Sequence, residues 1–424
     1  MNNFYLNKYS FCNNQIEAQI NVETKAIVVI PCFNEPNIVR SLQSLYACDM
    51  DCCVEILVII NCSENCSNEI RKQNSKTFKE GQEWCNNQNN KLISCHFIVE
   101  NSLPKKHAGV GLARKIGMDE AVSRFHSINY DGIIVMFDAD SHCDKNYLAE
   151  IIRHFEINPK TPGCSIQFEH PITGVEFSPE IYSGIIKYEL FLRYYVEGLR
   201  LANLPYAFHT VGSSMAVRSS AYQKQGGMNK RKAGEDFYFI QKIIELGNYT
   251  ELTTTRVIPS PRTSERVPFG TGKAIKDWLL QESENYMTYS PQTFYDLREF
   301  TKNIDSLFES NDWAQLCSPC LKEYLIQNKF SEALLEIRKN STNLTGFVKR
   351  FYTWFNAFRV LKFVHFARDN HYTQVEIEKA SQVLSNSKHL NTIKLLNEYR
   401  YKQKKARLIS ETGFEKLNSF RNVR

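Results

Sequence analysis

Three short clusters of this chain hold residue types that could do chemistry. The first is Asp138-Ala-Asp140, which follows the apolar run Ile133-Ile-Val-Met-Phe137. Two acids just beyond a buried strand emerge where a sheet opens to solvent. A hard divalent cation takes one or two carboxylates together with phosphate oxygens, so such a pair can hold a nucleotide: one acid on a ribose, the other on a metal bridging a diphosphate. An exposed acidic turn is the plain alternative. The second cluster is Gly234-Glu235-Asp236, opening a helix that runs to Leu246. Acids in a first helical turn complement the helix dipole, and a carboxylate there can also serve as a general base for a hydroxyl nucleophile. The third is the loop Ser260-Pro-Arg262-Thr-Ser-Glu-Arg266, continuing to Gly270-Thr-Gly272-Lys273. Its arginines offer paired donors to an anionic diphosphate, and its glycines suit a hinge. The loop lacks the G-x-x-x-x-G-K-[ST] spacing of a phosphate-binding P-loop.

The elements that must position these clusters alternate. Ala26–Ile30, Val54–Ile60, Leu92–Val99 and Gly132–Phe137 read as strands, while Ile38–Tyr46 and Gly109–Arg124 read as helices. Alternation of this kind builds a mostly parallel sheet with helices on both faces. Ligands bind such sheets at the carboxyl ends of the strands, where the first cluster falls. A long helix is expected over Pro179–Arg200, with its aromatic residues either packed in a core or walling an acceptor site. All 13 prolines lie at or before Pro319 and 16 of the 18 glycines before Gly346. The last hundred residues therefore read as helices on short turns, including Ser331–Arg338 and Thr373–Leu384. The boundary is expected between Ile275 and Asn311.

Composition narrows the class. The chain has 424 residues, 42% hydrophobic and 23% charged, which is ordinary for a globular protein and argues against disorder. No apolar run reaches the roughly 18 residues of a membrane-spanning helix, and residues 1–10 carry no signal-peptide core. The 13 cysteines include adjacent and strand-embedded ones, a pattern unlike a secreted disulfide framework. Cys62 to Cys66 and Cys317 to Cys320 lack the second pair a structural zinc site needs. Net charge is +6, but Thr345–Arg424 holds about 16 Lys/Arg against about 6 Asp/Glu, so a basic tail follows a mildly acidic body.

Taken in order, these segments resemble the family 2 glycosyltransferases of the GT-A fold. The likeness runs from about Ala26 to Lys273. It rests on Val28-Val-Ile-Pro31-Cys-Phe-Asn34-Glu35, Gly109-Val-Gly-Leu-Ala-Arg114-Lys-Ile-Gly117 and Asp138-Ala-Asp140, then on Val211-Gly212 through Arg218, Gly226-Gly227 and Gly234-Glu235-Asp236. The resemblance implies an α/β GT-A-like domain over residues 26–280, preceded by an N-terminal segment (1–25) and followed by a helical region (281–424). It implies an inverting, metal-assisted transfer of a sugar from a nucleoside-diphosphate sugar to a hydroxyl acceptor, with Asp236 as the base and Glu235 as the second candidate. Pro31, Glu35, Arg114, Asp138, Arg262 and Arg266 would contact the donor, and Asp140 with Asp138 would hold Mg2+ or Mn2+. The family's usual Asp after the second strand, which reads the nucleobase, is missing from Asn61-Cys-Ser63-Glu64-Asn, and Asn61 or Glu64 would substitute for it as a donor contact. His209 is the candidate acceptor contact, with a structural role as its alternative.

A saccharide, a lipid-linked molecule or a small hydroxyl compound would serve as acceptor. The expected location is cytoplasmic, peripheral at the inner face of a membrane if the basic C-terminal region meets anionic lipid. The aromatic and cationic run Phe347–Phe366 reads either as such a surface or as core; no nucleic-acid partner is expected. A sugar-phosphate nucleotidyltransferase and a non-catalytic protein that keeps the fold are the other two classes consistent with the residues.

Overall fold

The computed structural model describes residues 3–264, 269–388 and 391–409, the side chains of 406–409 excepted. The chain forms two compact units: Met1–Tyr182 with Thr210–Asp277, and Ser183–His209 with Trp278–Arg424. Residues 183–209 thus group with the helical unit, although they fall inside the segment expected to form the first domain.

The first unit is built on one sheet of eight strands, ordered β3-β2-β1-β4-β7-β6-β8-β5. The strands are β1 (Thr24–Cys32), β2 (Cys53–Ser63), β3 (Ile93–Leu103), β4 (Ile133–Met136), β5 (His142–Cys143), β6 (Gly163–Phe168), β7 (Met215–Arg218) and β8 (Thr250–Ile258). The neighbours β1–β2, β2–β3, β1–β4 and β6–β8 pair in parallel. β7 inserts antiparallel between β4 and β6, and β5 is antiparallel to β8. This mostly parallel sheet with flanking helices is the architecture the resemblance implies. Ala26–Ile30 of β1 and Ile56–Ile60 of β2 are fully buried. A strand covered on both faces reads as an unbroken apolar run rather than an alternation, which is why these strands stand out in the sequence.

Helices α1 (Phe4–Lys8), α2 (Ile38–Tyr46), α3 (Asn68–Asn86), α4 (Val110–Ser127), α5 (Tyr147–Ile157), α6 (Pro179–Leu201), α7 (Ser219–Lys224), α8 (Glu235–Ile244) and α9 (Thr271–Leu280) complete this part of the chain, with α6 and α9 running on into the second unit. The central helix is α4. It is buried from Gly111 to Phe125, charged residues included. One side lies on the sheet. The other is covered by the N-terminal segment, which its buried charges tie down: Tyr5 Oη and Phe11 N–H donate to Asp119 at 2.6 and 2.7 Å, and Arg124 reaches the Ala18 carbonyl at 3.0 Å. Arg124 also pairs with buried Glu55 of β2.

The second unit holds α10 (Pro291–Thr301), α11 (Pro319–Gln327), α12 (Phe330–Lys339), α13 (Leu344–Trp354), α14 (Ala357–Asn370), α15 (Ile377–Ser385) and α16 (Thr392–Ile409). The helix expected from Thr373 starts only at Ile377, because β10 (Val375–Glu376) pairs with β9 (Met287–Thr288). Buried Glu189 on α6 accepts from Arg193 at 2.8 Å and from Arg400 of α16 at 2.8 and 2.7 Å.

Gly117 sets how closely α4 lies on the sheet. A Cβ there would sit 2.4 Å from Val29 Cγ1 and 2.9 Å from Ile59 Cγ1, well inside the ~3.5–4.0 Å of carbon–carbon contact. Alanine would gain up to ~1 kcal/mol of helix propensity, but overpacking a closed core costs ~1–3 kcal/mol. Gly117→Ala should therefore lower the urea midpoint of the first unit. An unchanged or raised midpoint would show that the sheet yields at Val29.

Candidate active site

Because β1, β2 and β4 are parallel, the residues following them emerge along one edge of the sheet. Past β1, Asn34 takes a left-handed conformation (φ 49°), and its N–H donates to Asn74 Oδ1 at 2.9 Å. Asn74, buried on α3, donates in turn to the Asn61 carbonyl at 3.1 Å. This one amide staples the loop after β1 to the end of β2. Arg71 on the same helix orders the next stretch, donating to the carbonyls of Glu64 and Asn101, each at 2.7 Å.

Two guanidinium groups organise the acids. Arg262, in the loop after β8, grips Glu35 with both terminal nitrogens and sets its Nε 2.7 Å from Asp140 Oδ2. Glu35 is only 1% exposed, and its Oε1 also accepts the Asn37 N–H at 3.1 Å. Arg114, buried on α4, donates to Asp138 Oδ1 at 2.7 Å and pairs with Glu235 at the start of α8. Gly212 makes room for that guanidinium, since a Cβ there would come within 2.3 Å of Arg114 Nη1.

Asp236 stands next to Glu235 in the first turn of α8, half-buried, with its Oδ1 accepting the Phe237 N–H at 2.7 Å. Burial, then the Glu235 charge, push its carboxyl up to about 7; Arg114 pulls it down, and Asp138 adds a smaller upward push. Residues from five places in the sequence thus come together: Asp236 beside Glu235, Glu235 on Arg114, Arg114 on Asp138, and nearby Asp140 on Arg262 with Glu35.

The other expected site residues are placed as follows. Pro31 lies in β1 opposite Ile59 of β2, and Asn61 is buried at the end of β2. Glu64 is exposed and accepts the Lys105 N–H at 3.1 Å. Arg266 lies outside the described residues. His209 belongs to the helical unit, where its Nε2 is 3.0 Å from Gln403 Oε1. Its ring is buried and held neutral, its pKa pushed down to about 3 by burial and then by Arg193. Asn74 and Arg71 do not stand out in the sequence. The only available hint was a polar pair at i, i+3 on a helix that follows a strand-end loop.

Among the described residues no group of three His, Cys, Asp or Glu is arranged to hold a metal ion. The fit of a divalent cation therefore rests on Asp138 and Asp140. Both are hard oxygen donors, about a third exposed, and each now holds a guanidinium. That suits a cation that draws its remaining ligands from donor phosphates.

A model of glycosyl transferase family 2 matches residues 27–224, and one of glycosyl transferase family group 2 matches residues 133–321. The chain is a family 2 glycosyltransferase. The two matches take in every acid and arginine of the site within the described residues. No curated protein matches the chain. Among solved structures it is similar to S. aureus TarS 1–349 in complex with UDP-GlcNAc, at 13% identity over 91% of this chain and 92% of that one, TM-score 0.38. It is also similar to the mannosyltransferase PcManGT from Pyrobaculum calidifontis in complex with GDP-Man and Mn2+, at 12% identity over 89% and 85%, TM-score 0.36. Likeness this loose carries neither residue roles nor substrates to this glycosyltransferase.

The Arg114 bridge is open to test. Breaking a buried ion pair by removing one partner costs ~3–5 kcal/mol, because the remaining charge stays buried. Arg114→Gln would strand Glu235, which is 2% exposed, and should destabilise the first unit by about that amount in urea denaturation. A loss below ~1 kcal/mol would show that α8 is held in place by other contacts.

Proposed function

We propose that this glycosyltransferase works with inversion. Asp236 takes the proton of an acceptor hydroxyl while the acceptor oxygen bonds to the sugar's anomeric carbon, and the bond from that carbon to the nucleoside diphosphate breaks. The observation that carries this reading is the half-buried carboxyl of Asp236, raised to about 7 and joined through Glu235 and Arg114 to the strand-end acid Asp138. A base works best with a pKa near the operating pH. Glu235 is the weaker candidate, since it is almost fully buried and committed to Arg114.

In this reading Pro31, Glu35, Asn61 and Glu64 line the nucleoside end of the donor. Arg262 turns from Asp140 to the diphosphate as the donor arrives, with Arg266 of the same loop proposed alongside it. Asp138 and Asp140 would hold Mg2+ or Mn2+, which when bound supplies positive charge against the leaving diphosphate. Arg114 keeps Asp138 aimed while fixing the start of α8. The acceptor is a hydroxyl on a saccharide, a lipid-linked molecule or a small compound. No acceptor role is given to His209, whose ring is buried against Gln403.

Binding and turnover of a panel of nucleotide sugars, with and without Mn2+, test the proposal. Asp236→Asn should lower diphosphate release by roughly 10²–10⁴-fold, the usual worth of a general base, with donor affinity nearly unchanged. Near-normal turnover would remove Asp236 from the role.

The pH profile follows from the raised carboxyl. Asp236 accepts a proton only when ionised, so kcat/KM of the wild type should climb as pH rises through about 7 and level off above it. A profile flat from pH 5 to 8 would exclude a base of that pKa.

Asp140→Ala should abolish the Mn2+ dependence of donor binding measured by calorimetry. Binding that still tightens with Mn2+ would place the cation elsewhere.

A further inference from the structure

We propose that the outer face of α13 and α14 docks this enzyme on an anionic lipid surface. Between Glu336 and Asp369 the chain carries seven cations and no acid: Arg338, Lys339, Lys349, Arg350, Arg359, Lys362 and Arg368. Asp369 itself is paired with Arg368. The structure separates two faces of this run. Phe347, Phe351, Phe355, Val360, Phe363 and Val364 are buried in the helical unit. The opposite side presents Lys349, Arg350 and Lys362 to solvent, with Phe358 39% exposed and Trp354 half-buried.

Two contacts join neighbouring rings and cations of this run. Lys349 and Arg350 stand one turn before Thr353 and Trp354 on α13. Arg359 of α14 lies 4.1 Å from the Trp354 ring centroid and donates to the Trp354 carbonyl at 2.6 Å, so it ties the two helices across their joint. Lys362 Nζ lies 4.7 Å from the Phe358 ring.

Lipid suits this surface by charge and by composition. Basic residues near an anionic bilayer are attracted to its headgroups, and aromatic rings with a polar neighbour settle at the boundary between headgroups and chains. No helix among the described residues is long and apolar enough to cross a membrane, so the contact is interfacial. Alternating rings and cations on an elbow between two helices offer no recognition element for a nucleic-acid groove.

The test uses the full chain and co-sedimentation with phosphatidylcholine vesicles, with and without phosphatidylglycerol. Binding should require the anionic lipid and weaken as salt shortens the screening length. The variant Lys349→Glu/Arg350→Glu/Lys362→Glu should lose at least about 100-fold in partitioning, the fold-change for removing three cations at roughly 1 kcal/mol each, before the added acids repel the surface. Because all three side chains are exposed, the variant should keep the wild-type circular dichroism. Reversing the exposed cations Lys72, Lys76 and Lys79 on α3 instead should leave vesicle binding in place. Trp354 emission should shift to the blue on anionic vesicles, a change missing from Trp354→Phe. The proposal is overturned by equal binding to neutral vesicles, by no binding, by an equal loss in the α3 variant, or by tighter binding to a duplex DNA oligonucleotide that the same triple variant removes.

Discussion

Asp138 and the start of α8 at the candidate site hang on the Arg114 guanidinium. It sits in the interior, where burial works against its charge, yet Asp138, Glu235 and Asp236 outweigh that penalty and hold the charge firmly. A buried arginine with partners on two other elements acts as a geometric constraint. It fixes the end of β4 against the start of α8, and it does so from α4, which is itself clamped between the sheet and the N-terminal segment. The packing of α4 and the chemistry of the site are therefore one problem, and the close seat that Gly117 allows is part of its solution.

The second constraint is an excess of negative charge. Glu35, Asp138, Asp140, Glu235 and Asp236 face two guanidinium groups, a formal balance of two minus five, or −3. Crowded carboxylates in a partly buried place relieve that excess by holding a proton or by binding a cation. Asp236 shows the first response in its raised pKa. Asp140, with Arg262 laid on it, shows a position where positive charge is already favoured. A nucleoside diphosphate is itself an anion, so a site of this kind accepts it only with added positive charge. The acidity of the site is the electrostatic reason for the metal dependence proposed above.

The helical unit follows a different logic. Its interior includes the ion group of Glu189, Arg193 and Arg400 alongside a dense set of phenylalanines. Such a group contributes little net stability, since desolvation offsets attraction, but it admits few alternative registers between α6 and α16. The same unit turns Lys349, Arg350 and Lys362 outward on α13 and α14.

The sequence alone was enough to place β1, β2 and β4, because strands buried on both faces appear as unbroken apolar runs. It also singled out the acids and arginines that follow them, because charge has few reasons to stand at such points. It could not reveal that residues 183–209 pack with the C-terminal helices, since their aromatic pattern is the same whichever partner buries it. Nor could it reveal the burial of α4 on all sides: a helix enclosed by a sheet and by its own N-terminal segment has no polar face to set the pattern, and its charged residues look solvated until their partners are known. The pairing of Arg114 with both Asp138 and Glu235, the hold of Arg262 on Glu35 and Asp140, and the staple made by Asn74 were decided only in three dimensions. Each joins residues far apart along the chain, and a contact of that kind leaves no periodicity in a single sequence to betray it.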